Sequence, residues 1–130
     1  LEGERSSMST DVISDIASYL VTGGYGTVGT SIFIDELQDQ PDNQIVVFSS
    51  GGRPIQSTDS HTVVTYFDVH IRNTSKATAR SKAIEIRDYL GSKKSAANRQ
   101  AILLQPPVIE YFGKDSMNRH RYGVFFAAFD

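Results

Sequence analysis

The segment Val124-Phe125-Phe126-Ala127-Ala128-Phe129 is apolar at every position. Successive side chains of a strand point to opposite faces, so a strand of this kind has two faces that both need cover. Ile45-Val46-Val47-Phe48 has the same property. A chain with two such strands must build a sheet protected on both sides. What it can supply as cover is the first thing to establish.

Two helices are legible. Ser9 or Thr10 can cap the first, and Asp11 suits the positive end of its dipole. Val12, Ile13, Ile16, Ala17 and Leu20 then recur at helical spacing, which predicts a helix over 10–21. In the second, Ala79, Ala83, Ile86 and Leu90 share a face. Asn73 or Thr74 is the expected cap, and Gly91 stands where a left-handed C-terminal residue belongs. Lys76, Arg80 and Arg87 form a neighbouring basic stripe, and Lys93 and Lys94 suit the negative end of the helix.

Between and after the helices lie the strands. Thr62–Arg72 is the clearest, with Val63, Thr65, Phe67, Val69 and Ile71 facing one way and Val64, Tyr66, Asp68, His70 and Arg72 the other. Ser31–Ile34 and Ile45–Phe48 precede it. Ile102–Leu104 reads as a short strand before Pro106-Pro107. Val108–Phe112 and Tyr122–Phe129 read as an antiparallel pair around a charged tip. The expected fold class is α+β: two helices packed on a largely antiparallel sheet of four to five strands. Two helices of modest length cover one face of such a sheet. The second face then needs another partner, and a second copy of the chain is the simplest one. Ile84 points the same way, because it lies beside the basic stripe and well away from the Ala79/Ala83/Ile86/Leu90 face.

With 130 residues the chain makes one domain, and a net charge of −2 gives it no overall attraction to nucleic acid or anionic membranes. It has no cysteine, hence no disulfide or thiolate metal site. No apolar run approaches the roughly 18 residues of a membrane span. Residues 1–7 are polar and precede Met8, so they read as a flexible leader or added segment ahead of a single domain over 8–130.

The motifs give little chemistry. Gly24, Gly26 and Gly29 fit G-x-G-x-x-G, a spacing that can cradle phosphates. Here it follows a helix and precedes a strand, the reverse of a dinucleotide site, so the glycines are expected to end the helix. His61, His70 and His120 lack the spacing of a helical zinc site, and His70 reads as a strand residue between Asp68 and Arg72. No serine sits in a nucleophile elbow. Asp35, Glu36, Asp39 and Asp42 lack the spacing of a calcium loop and read as a solvated acidic turn. No catalytic residue, cofactor or metal is expected. Two segments remain as contact candidates. The polar loop Ser49–Ser60, with Gly51, Gly52 and Arg53, is long enough to be mobile in the free subunit and ordered on assembly. The tip carries Lys114, Asp115, Arg119, His120 and Arg121, which could meet a partner protein or phosphates, or could simply keep the hairpin soluble.

The arrangement as a whole resembles a family. A short helix, a glycine-containing connection and Phe33 precede Pro41-Asp42. Gly51-Gly52 precedes the long strand, and the helix Lys76–Leu90 ends at Gly91. The chain closes on Pro107-Val108-Ile109, Gly113-Lys114-Asp115 and Arg119-His120-Arg121-Tyr122-Gly123-Val124-Phe125-Phe126. Over nearly all of 8–130 this is similar to the tail terminator (tail completion, tail-to-head joining) proteins of long-tailed bacteriophages, sometimes labelled minor capsid proteins. The resemblance implies a structural protein without enzymatic activity. It implies a ring, typically a hexamer, on the head-proximal end of the tail tube, which stops tube polymerisation and meets the head connector. Its partners would be copies of itself, the tail tube protein and a head completion (connector) protein. Genomic DNA would pass through its lumen, and no membrane would be involved. It would reside in the virion tail at the head–tail joint, after assembly in the host cytoplasm. A head-completion ring protein, or a small nucleotide- or DNA-binding protein resting on the glycine loop and the basic stripe, are the alternative readings. The family pattern does not assign contact residues. Those expected from the residues themselves are Ile84, Lys76, Arg80, Arg87, Gly51, Gly52, Arg53, Lys114, Asp115, Arg119, His120 and Arg121.

Overall fold

The computed structural model describes residues 12–49, 64–91, 93–94 and 101–129. Among them are helix α1 (Val12–Thr22), strands β1 (Ile32–Ile34), β2 (Gln44–Ser49) and β3 (Val64–Asn73), helix α2 (Lys76–Leu90), and strands β4 (Lys93–Lys94), β5 (Ala101–Lys114) and β6 (His120–Phe129). They form one sheet in the order β1-β2-β3-β6-β5-β4. Only β1 and β2 run parallel; the other described pairs are antiparallel. This is the expected α+β architecture, widened by the two-residue edge strand β4.

Both helices pack on one face of the sheet. Ile16, Ala17 and Leu20 of α1 and Ala79, Ala83, Ile86 and Leu90 of α2 are buried there against Ile45, Val47, Phe67, Val69, Ile71, Val124 and Phe126. The four-three-four spacing in α2 therefore marks its core face as expected. Phe67 and Phe126 are register partners on β3 and β6, and their rings stack at 5.1 Å. The two helices are tied together by Tyr89, which stacks on Tyr19 at 4.6 Å and donates its hydroxyl to the Tyr19 carbonyl at 2.8 Å.

Several local expectations are revised. The cap of α2 is Ser75, not Asn73 or Thr74: its side chain accepts from the Thr78 N–H. Asn73 acts one step earlier, accepting from the Ser75 N–H at 2.9 Å. Gly91 is extended rather than left-handed, with φ −72°. It is glycine for space, because a Cβ there would meet the Arg87 carbonyl and the Leu104 side chain at 2.6 Å. The two short strands expected around Pro106-Pro107 are one, β5. Its register against β6 shifts between Leu104 and Ile109 and again between Tyr111 and Gly113. An outer strand tolerates prolines where an inner one would lose ladder bonds on both sides.

The glycine connection has the expected order, with α1 before it and β1 after it. Gly24, Gly26 and Gly29 all take positive φ. Gly26 is also pressed against Ser31 and Ile32, leaving no room for a side chain. Among the described residues they follow the C-terminus of α1 and lead into β1, so no dipole of a following helix faces them as in a phosphate cradle. Residues 1–7 and the loop candidates Gly51, Gly52 and Arg53 lie outside the described residues.

Candidate functional site

The turn between β1 and β2 is held by one nearby side chain and by two from far along the chain. Gln44 donates to the carbonyls of Pro41 (2.6 Å) and Gln38 (3.1 Å) and accepts from the Gln38 N–H. Arg72 of β3 donates through Nε to the Asp42 carbonyl and through Nη2 to those of Asp39 and Pro41. Arg119 then reaches across from the β5–β6 turn. Its Nη1 donates to the Asp39 carbonyl at 2.6 Å and to the Asp42 carboxylate at 3.3 Å, while its Nε donates to Asp115 at 2.8 Å. Arg72 and Arg119 are both buried. The acidic turn is therefore more than a solvated surface: its backbone carbonyls are the acceptors for two buried guanidiniums.

These contacts enclose one side of a cleft of about 300 Å³ lined by Leu37, Arg72, Phe112, Gly113, Lys114, Asp115, Arg119 and Arg121. Burial, followed by the nearby Arg119 charge, pushes the Arg72 guanidinium below its ordinary value, against the pull of the three aspartates. For Arg119 burial also opposes the charge, but hydrogen bonding to Asp115 and Asp42 wins and holds it above its ordinary value. Arg121 is the register partner of Arg72 across β3 and β6, and its guanidinium lies 5.1 Å from the centre of the Phe112 ring.

The sheet face away from the helices is aromatic. His70 stacks on Phe112 at 5.0 Å, meets Phe48 edge-on at 4.8 Å, and pairs through Nε2 with Asp68 at 2.6 Å. Phe125 adds a further edge contact. Gly123 lies under the Phe112 ring, where a Cβ would stand 2.6 Å from it. Phe112 is 41% exposed and Leu103 42% exposed on this side, far more than the core of the covered face. His70 is thus the strand histidine of an Asp–His pair, and no group of metal-ligating side chains occurs among the described residues.

The remaining candidates lie on the helix side. His120 bonds through Nδ1 to the Tyr111 hydroxyl at 2.7 Å, and the Lys76 ammonium lies 4.5 Å from the centre of the Tyr111 ring. Along α2, Ile84 is half-buried, Arg80 is exposed, and Arg87 pairs with the adjacent Asp88 at 2.9 Å.

A family model described as bacteriophage tail terminator protein matches residues 19–128. The chain belongs to the bacteriophage tail terminator family. No curated protein matches it. Family membership makes it a structural component of the phage tail, and the matched residues run from the last turn of α1 through α2, the strands and the cleft.

Within this family member the expected contact residues separate into three groups. Lys114, Asp115, Arg119 and Arg121 converge on the cleft, whereas His120 points to the helix side with Lys76. Arg80, Ile84 and Arg87 lie apart on α2. Arg119, expected at an exposed tip, is instead buried and braces the turn at Asp39–Asp42. Arg72, Leu37 and Phe112 were not singled out from the sequence. Their one sequence signal is Arg72 on the side of the strand that it shares with Val64, Tyr66, Asp68 and His70.

Proposed function

We propose that this tail terminator works as a ring on the head-proximal end of the tail tube, halting tube growth and presenting a surface to the head connector. The observation that supports this reading is the presence of two unlike surfaces on opposite sides of the described helix and sheet layers. One is the outer side of α2, with Arg80 exposed and Ile84 half-buried. The other is the sheet face that carries no helix among the described residues, with Phe112 and Leu103 exposed on it. Surfaces that differ in chemistry and lie on opposite sides favour heterologous, head-to-tail contacts, and such contacts close into rings when the rotation per subunit permits. An isologous dimer would bring like surfaces together and leave one of the two unused.

In this reading copies of the chain, the tail tube protein and a head completion protein are the partners, a hexamer is the ring size, and DNA crosses the lumen. Ile84 and the basic stripe contribute to the subunit contact, and assembly takes place in the host cytoplasm. Gold-labelled antibody on purified tails tests the location by electron microscopy. Label at a single end, the end that meets the head in intact virions, is expected. Label along the tube or at the distal tip would overturn the proposal.

A further inference from the structure

Three arginines and a lysine line the cleft between the β5–β6 turn and the Asp39–Asp42 turn, against one lining carboxylate, Asp115. The cations are not evenly satisfied. Arg119 spends its donors on Asp115, Asp42 and the Asp39 carbonyl. Arg72 uses Nε and Nη2 on backbone carbonyls. Arg121 and Lys114 make no ion pair with any described residue. Arg72 and Arg121 also stand directly opposite each other on adjacent strands. Like charges in that position destabilise a sheet. A fold that keeps such a pair, one member of it buried, holds positive charge in reserve for something outside it.

We propose that this cleft receives a carboxylate side chain from an acidic loop of a partner protein, with Arg121 and Lys114 as its principal ligands. Phe112 and Leu37 give the cleft apolar walls suited to the methylenes of a glutamate. The planar guanidinium of Arg121 is already oriented by the Phe112 ring and can bind a carboxylate in bidentate fashion. The rim argues against nucleic acid. Asp39, Asp42 and Asp115 side chains are 88%, 47% and 38% exposed around Arg119. Duplex DNA carries a negative charge every ~1.7 Å of its axis, so neighbouring phosphates would be driven against those carboxylates, whereas a single carboxylate avoids them. The charge of the cleft carries this inference independently of ring formation.

The test uses the isotope-labelled chain, N-acetyl-glutamate methylamide as the probe, N-acetyl-glutamine methylamide as the uncharged control, and a short DNA duplex. The glutamate probe should shift the Gly113 amide and the Arg121 side-chain Nε–H signal saturably, and the glutamine probe should not. Arg121→Gln should weaken that binding about tenfold, the loss of a charge-assisted hydrogen bond. Its melting temperature should meanwhile hold or rise, because the opposed cations are separated. Equal shifts with both probes, no saturable shift, or tighter binding of the duplex at the same signals would overturn the proposal. So would an Arg121→Gln chain that melts lower yet binds the probe unchanged, because that arginine would then be structural.

Discussion

Arg119 shows how far one side chain can be from the role its neighbours in sequence suggest. It stands in a run of charge, Arg119-His120-Arg121, that reads as a solvated tip. In the fold its neighbours take opposite sides of the sheet while Arg119 itself turns inward. Its acceptors Asp39 and Asp42 lie 80 and 77 residues away. No local pattern could disclose that pairing. Asp115 is the hinge of the same arrangement. Its Oδ1 accepts from the N–H groups of Met117 and Arg119 while its Oδ2 accepts from Arg119 Nε, closing the turn. The Arg119 amide bond above all, with the side-chain and Met117 bonds, outweighs partial desolvation and holds the Asp115 carboxyl below its ordinary 3.8. A carboxyl depressed in the folded state stabilises the fold above its unfolded value, and that contribution is lost as pH falls through the folded one. The parent should therefore melt above Asp115→Asn at neutral pH, by a margin that narrows from about pH 4 downward. A margin independent of pH in thermal melts would show that the charge of Asp115 contributes nothing to the turn.

At the scale of elements, legibility followed how completely local chemistry determines the backbone. Strand β3 was clear because its alternation persists over ten residues, and α2 because one face is small or aliphatic at every turn. β5 was not. Pro106-Pro107 reads as a break, and only its position outside β6, where most of its outer edge has no described strand beside it, lets the strand continue through. The cap of α2 was misplaced because Asn73, Thr74 and Ser75 are all competent caps; tertiary contacts separate them, since the Thr74 N–H is taken by Asn43 Oδ1. The two isoleucines of α2 now make a matched pair for experiment. Ile86 is fully buried, so Ile86→Ala should cost about 2–4 kcal/mol in denaturant unfolding. Ile84 is half-buried on the helix flank, so Ile84→Asp should leave a folded monomer while weakening self-association. Unfolding by Ile84→Asp comparable to that of Ile86→Ala would place Ile84 in the core and remove it from the contact surface.

The described residues form a helix layer on a sheet whose other face is aromatic, with Phe112 and Leu103 exposed on it. That asymmetry was legible from two strands, Ile45–Phe48 and Val124–Phe129, whose apolar residues exceed what two helices can cover. The cleft was not, because it draws Leu37, Arg72, Phe112 and Arg121 from four separate segments and exists only once β3, β5 and β6 are in register. Family membership places this molecule in the tail; the proposal that it closes into a ring there and halts a polymer rests on the asymmetry. Tube length measures that claim most directly. Tail tube protein polymerised in vitro should yield shorter tubes, each blunt at one end, as this chain is added, and the capped tubes should join filled heads. Tubes that grow to the same length at every concentration, with no change in their capacity to join heads, would contradict the account.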